Sequence, residues 1–264
     1  MVRCTGEERA LARASIYRLL TLSFSYPSKT GVEAFAAVLP VAAVAADLLN
    51  PATAAAIERV RVAFEQTDGL SGLERDYQHV LTLSYSEECP AYETAFSARH
   101  IFQQASQQAD LAGFYQAFGV RPHGERPDHI AMELEFAYVL ALKEARAREL
   151  KDQEHVAVTR TATRMFLRQH LSRWAPLIGQ RVALRGAGTL IGAAGGLLAA
   201  FNSYEERFLR LGTVQRYNDE AVQIDLEEEG EFTCPLADTV LAEPQDLPLF
   251  DAIEEEGYVA ASRS

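Results

Sequence analysis

GERPDHIAMELEFAYVLALKEA, residues 124–145, opens with charged and turn-forming residues and then runs into an apolar helical pattern that carries Glu133 and Glu135 inside it. Asp128 follows Pro127 and precedes the apolar run, which is an N-cap position: its carboxylate can accept orphan N–H groups of the first turn and meets the positive end of the helix dipole. His129 and Glu133 are four residues apart and so share a helix face. Glu133 and Glu135 point roughly 160° apart at 100° per residue, so they cannot both face one core. At least one must meet a cation, a polar group of a neighbouring helix, or water. A buried ion pair that ties helices together is the structural expectation for this stretch.

The surrounding chain has helical spacing nearly everywhere. In EERALARASIYRLLTLSFSYPSK the apolar residues Leu11, Ala14, Tyr17, Leu20 and Phe24 recur every three or four positions and the pattern ends at Tyr26-Pro27. A second helix is expected over Val32 to Leu49, interrupted near Pro40, and a third over Ala52 to Phe64 behind an Asn50 cap and Pro51. A fourth covers Gly72 to Leu83. Further helices follow in SARHIFQQASQQADLAGFYQAF, ended by Gly119, in the opening stretch as far as Lys151, in HVAVTRTATRMFLRQHLSRW, in APLIGQRVALRG and in GTLIGAAGGLLAAFNSYEERFLRLG. No window alternates as a strand would. The expectation is an all-α fold, a single multi-helix domain of about nine to eleven helices over residues 1–224, with an acidic C-terminal tail over 225–264.

Charge supports this division. The formal net charge is -12, of which residues 225–264 carry -11, with 12 acidic residues against one Arg. The body is nearly neutral, so neither part offers the basic footprint that nucleic-acid binding needs. The N-terminus lacks the apolar core of a secretory signal, which predicts a cytoplasmic protein. Cys4, Cys89 and Cys234 lie far apart without a metal-binding or disulfide pattern. Residues 186–204 are uncharged over 19 positions, but Gly and Ala dominate them. A buried helix is expected there, with no stable membrane insertion, and Gly188, Gly192 and Gly196 on one face would admit a close neighbour.

Candidate chemistries are thinned by what is missing. His129 and Glu133 could begin a metal site, yet no second HxxxE or ExxH supplies the remaining ligands. The glycines after residue 185 run GxGxxxG without a preceding strand or a GK[ST], which argues against phosphate cradling. No nucleophile or oxyanion motif accompanies the acids.

Five segments in order, IYRLLTLSFSYPS, ERDYQHVLTLS, CPAYETAF, FYQAFGVRPHGERPDHIAMELEFAYVLALKEA and FLRQHLSRWAPLIGQ, resemble the TorD/DmsD/NarJ family of molybdoenzyme maturation chaperones. The resemblance covers about residues 8–212, and its most specific element is Glu125 to His129. It implies a TorD-like all-α chaperone whose two halves join through a hinge loop, without catalysis and without a cofactor of its own. The implied partner is the molybdopterin-containing catalytic subunit of a dimethyl sulfoxide reductase-superfamily enzyme, with its twin-arginine leader and molybdenum cofactor biosynthesis proteins, held until the cofactor is inserted. Carried over to this chain, Asp128 and His129 are the first client- or leader-binding candidates, with Glu125, Tyr92 and Glu133 behind them. A leader that combines arginines with an apolar stretch calls for carboxylates beside an apolar groove.

Some leader-binding members line their groove with tryptophans, whereas Trp174 is the one tryptophan here, which favours recognition of the mature catalytic subunit. The acidic tail, with interleaved Leu and Phe, is read as competing with or extending the client site. Two alternatives differ in class: a helical metal-dependent enzyme using His129 and Glu133, and a helical adaptor with no molybdoenzyme client.

Overall fold

The structure is a computed structural model that describes residues 4–82, 89–97 and 101–218. All of these lie within one compact unit, Met1–Asp225. The acidic tail, Cys234 and the expected helix end at Leu83 lie outside the described residues. Ten α-helices occur among the described residues: α1 Gly6–Phe24, α2 Lys29–Leu49, α3 Pro51–Glu65, α4 Gly69–Tyr77, α5 Thr94–Ser97, α6 Ile101–Ala117, α7 Ile130–Glu149, α8 Gln153–Gln169, α9 Leu171–Arg185 and α10 Leu190–Leu209. A π-helical turn, Gln78–Thr82, continues α4. The protein is all-α, and α1 packs most extensively on α7, so the segments before and after the loop at 118–129 share one core.

Local chemistry starts the helices where the spacing places them. Thr5 and Glu8 form a reciprocal capping box, Thr5 Oγ1 accepting from the Glu8 N–H at 3.1 Å and Glu8 Oε2 from the Thr5 N–H at 2.7 Å. Asn50 Oδ1 accepts from the Thr53 N–H at 3.0 Å, with Pro51 in the first turn. Gly119, at φ 72°, ends the run after α6.

Two expected breaks are absent. α2 runs without interruption through Pro40. Pro40 and Ala36, whose carbonyl the proline leaves unbonded, are exposed, so water can satisfy that carbonyl and only a small side chain meets the ring. Pro176 likewise lies inside α9, and the break falls at His170 instead of after Trp174. The lost bond would have ended on Ser172 O, and the Arg216 guanidinium donates to that carbonyl; the Tyr217 N–H takes the next one, Arg173 O, at 3.1 Å. A strap from the far end of the domain therefore substitutes for the missing helix bonds.

The small-residue contact forms with a different set of glycines. A Cβ on Gly195 would lie 2.6 Å from Gly179 O, and one on Gly192 would lie 1.9 Å from Gly186 O, whereas Gly188 and Gly196 face open space. The α9/α10 contact is thus backbone against backbone at Gly179, Gly186, Gly192 and Gly195. Gly195→Ala is expected to lower stability by about 1–3 kcal/mol through overpacking, while Gly196→Ala next to it raises stability by up to ~1 kcal/mol through helix propensity. Urea denaturation of the two variants checks this; equal shifts in one direction would refute the assigned contact.

α10 is a core helix as expected, burying Leu190, Ala194, Leu197 and Phe201. By length and composition α2 is the one helix among the described residues apolar enough to cross a membrane. Its Phe35, Leu39, Ala42 and Ala46 pack into the core, while Val41, Val44 and Leu48 are exposed.

Candidate client-binding site

The loop before α7 is held by an antiparallel bridge between Tyr92 and His129. The Glu93 N–H donates to Asp128 O at 2.9 Å and the Ile130 N–H to Ala91 O at 2.9 Å. This stitches CPAYETAF to ERPDH, pairing residues 35 to 39 positions apart, and fixes Tyr92, Glu125, Asp128 and His129 around one joint.

Asp128 does not cap α7. It is fully buried, and its carboxylate accepts from Thr94 Oγ1 at 2.6 Å and from Arg126 Nη2 at 2.7 Å and Nε at 3.0 Å. The cap is His129, whose Nδ1 accepts from the Ala131 N–H at 3.2 Å. The bridge to Tyr92 sets His129 in extended backbone one residue later than the spacing suggested, and Asp128 turns inward to close a ring with Arg126 and Thr94. Capping through Nδ1 requires a neutral imidazole. Burial lowers the His129 pKa, opposed by Glu125 and Asp128 and aided by Arg126.

Glu133 is also fully buried. Its Oε2 accepts from Trp174 Nε1 at 3.2 Å, and its Oε1 has no hydrogen-bond partner among the described residues. Burial raises its pKa well above the ordinary carboxyl range and Glu93 raises it further; the Trp174 N–H opposes this and Asp128 adds to it. The buried ion pair expected for Glu133 or Glu135 is therefore not made by either of them. Glu135 is half-exposed, 3.7 Å from Arg18. α7 makes its buried ion pair at Glu144, which receives Arg13 Nη1 at 2.8 Å.

His129 and Glu133 share a face but serve different partners. Among the described residues no group of three or more His, Cys, Asp or Glu side chains is placed to hold a metal ion.

The outer part of the cluster is half-buried Tyr92 with exposed Glu125 and Arg126. Arg126 lies over the Tyr92 ring at 4.5 Å, His129 packs against its edge at 5.1 Å, and the Tyr92 hydroxyl donates to Glu125 at 3.3 Å. Burial and Glu125 raise the Tyr92 pKa, so it stays a donor. Tyr77, whose hydroxyl donates to Phe24 O at 3.1 Å, lines a groove of about 390 Å³ between the end of α1, the start of α2 and α4. The groove has an apolar lining that includes Leu22, Phe35, Phe64 and Leu73, and Asp76 and Glu135 stand on its wall. Tyr26 meets Tyr77 edge to face at 5.5 Å and is half-exposed at the groove. The Tyr77 pKa is raised by burial first and then by Glu125, Tyr92 and Tyr26.

Behind the joint lies a polar set that the spacing did not reveal. Glu93 accepts from the Tyr217 hydroxyl at 2.9 Å and lies 3.0 Å from His170 Nδ1, and His170 Nε2 lies 3.1 Å from Asp110. Glu93 and Thr94 stand in CPAYETAF beside Tyr92 and His170 stands in FLRQHLSRWAPLIGQ, so those segments held the signal; Asp110 and Tyr217 come from stretches that had none.

A protein-family model described as the nitrate reductase delta subunit matches residues 46–179. A stretch of 76 residues is 38% identical to the chlorate reductase assembly chaperone protein of Ideonella dechloratans, covering 28% of this chain. The aligned stretch spans 38% of the length of that relative.

Proposed function

The chain belongs to the nitrate reductase delta subunit family, of the NarJ/TorD chaperone type, and from that premise we propose that it is a non-catalytic assembly chaperone for a molybdoenzyme. Its client is the apo catalytic subunit of a dimethyl sulfoxide reductase-superfamily enzyme, held in the cytoplasm while the molybdenum cofactor is inserted. The observation that carries this reading is the loop corner where half-buried Tyr92 donates to exposed Glu125, on a domain that also has an apolar groove with Asp76, Glu135 and Arg18 on its wall. Carboxylates flanking an apolar slot suit a segment with arginines next to an apolar stretch, whether a twin-arginine leader or the mature N-terminal region.

The site residues divide into two roles. Glu125, Tyr92 and Tyr26 contact the client, Tyr92 as a rigid aromatic anchor and Glu125 as its charge partner. Asp128 and His129 position them from within, by holding the 91–94 and 126–130 segments together, while Glu133 ties α7 to Trp174.

Co-production with the apo catalytic subunit tests this. Glu125→Lys with Tyr26→Ala is expected to weaken the complex about tenfold or more, equal to about 1.4 kcal/mol, and to leave purified client short of cofactor, with helix content unchanged. Asp128→Ala is expected to weaken the complex and lower thermal stability together. A client that acquires its full cofactor in the absence of this chain refutes the chaperone reading.

A further inference from the structure

α8 presents an outer face that the folded domain uses at one end, where half-buried Arg160 lies over the Phe208 ring at 5.3 Å, and leaves largely open at the other. Arg160, Arg164 and Arg168 fall at i, i+4 and i+8, a row about 12 Å long at 1.5 Å per residue. Arg164 and Arg168 are exposed, and neither has a carboxylate partner among the described residues. Arg164 donates instead to Arg210 O at 3.3 Å, which brings a further exposed arginine to the same ridge. Arg160 stands 3.8 Å from Glu144, a carboxylate already shared by Arg13 and Arg148. Along the other edge of this face Val158 is 54% and Met165 47% exposed. Val158 also lines a groove with Phe118 and Leu150, whose rim carries Lys143, Arg146 and His155. The acids nearby are Glu154 in the first turn of α8, Glu149 paired with Arg146, Asp152 paired with His155, and Asp110, which shares a cleft with Arg168 and lies 3.1 Å from His170.

We propose that this outer face of α8 is a second contact surface for the client catalytic subunit, gripping a patch on it that combines carboxylates with an apolar anchor; the proposal rests on the client reading above. Three observations select such an occupant. Unpaired arginines beside exposed Met and Val have the composition of a protein interface. A polyanion such as nucleic acid is disfavoured because the body is nearly neutral and offers no broad basic footprint. The ridge is also continuous with the site already described: Arg168 enters the cleft lined by Glu93 and His170, and Glu93 is the neighbour of Tyr92 in the bridged loop. A client seated at the Tyr92 corner can therefore extend over the joint onto α8.

The test is titration of the full-length chain with the apo catalytic subunit at 50 and 200 mM salt. Arg164→Glu with Arg168→Glu is expected to weaken binding at least tenfold at low salt and to flatten its salt dependence. Arg164→Lys with Arg168→Lys retains most of the affinity, and Arg59→Glu on α3, an equally exposed site, changes nothing. Unchanged affinity and salt dependence in the double Glu variant, or an equal loss in Arg59→Glu, overturns the surface. Failure of the unsubstituted chain to bind the subunit at all overturns the client reading itself.

Discussion

Replacing Arg13 by Met is expected to remove about 3–5 kcal/mol of stability, the range for breaking a buried ion pair by deleting one partner. Arg13 is fully buried and grips Glu205 through two parallel bonds of 2.7 Å while donating to Glu144 at 2.8 Å. Burial by itself would favour a neutral guanidine; Glu205 overrides it, with Tyr17 and Glu144 adding, and the Arg13 pKa is raised. The Tyr17 hydroxyl donates to Glu205 at 3.0 Å and Arg148 donates to Glu144 at 2.7 Å, so α1, α7 and α10 meet in one charged knot. Without Arg13, Glu205 is a buried carboxylate with no cation, whereas Glu144 keeps Arg148. The added change Glu205→Met should therefore recover much of the loss, because an apolar pair of similar volume carries no desolvation penalty. Urea denaturation of the single and double variants measures both. A single variant within about 1 kcal/mol of the parent, or a double variant no better than the single, contradicts the account.

Glu133→Gln is expected to stabilise the protein, and to do so more at higher pH. The folded pKa of Glu133 lies above its unfolded value, so the native state keeps a proton that the unfolded chain releases. Its contribution is full below about pH 4.3, the ordinary glutamate value, and is lost as pH rises through the folded pKa. Each pH unit over which only the unfolded chain ionises removes about 1.4 kcal/mol. Gln cannot ionise and still offers the Trp174 N–H an acceptor. Thermal melts of both proteins at pH 4.5, 6, 7.5 and 9 should nearly coincide at the lowest pH and separate above it until the pH passes the folded pKa; a constant gap would disprove the buried neutral acid. On the acid side both proteins lose stability as pH falls below about 6.5, because the folded pKa of His129 is depressed and its neutral form caps α7. That loss is common to both chains and cancels in their difference.

Where the chain signals its structure locally, the reading and the fold agree. Asn50-Pro51 starts α3, Gly119 ends the run after α6, and the alanine- and glycine-rich stretch after residue 188 forms a core helix. The errors fall where a distant group decides. A proline inside a helix reads as a break because its own missing bond is visible, but Arg216 and Tyr217, some forty residues later, satisfy the carbonyls near Pro176. Gly196 resembles Gly195 in the chain, and only the approach of Gly179 distinguishes them.

Periodicity and capping residues by themselves determined an all-α domain and the extent of most of its helices, since helix bonds and caps join residues at most four apart. The ordered motifs likewise marked 124–135 as the segment to watch. Which of its acids face outward was decided by tertiary structure alone. Asp128 turns inward because Thr94, from the bridged 91–94 segment, completes its ring with Arg126; Glu133 lies under Trp174 of α9; and Glu125 is left exposed beside Tyr92. A carboxylate's burial and charge state depend on what packs over it, and here that comes from elements 34 to 41 residues away.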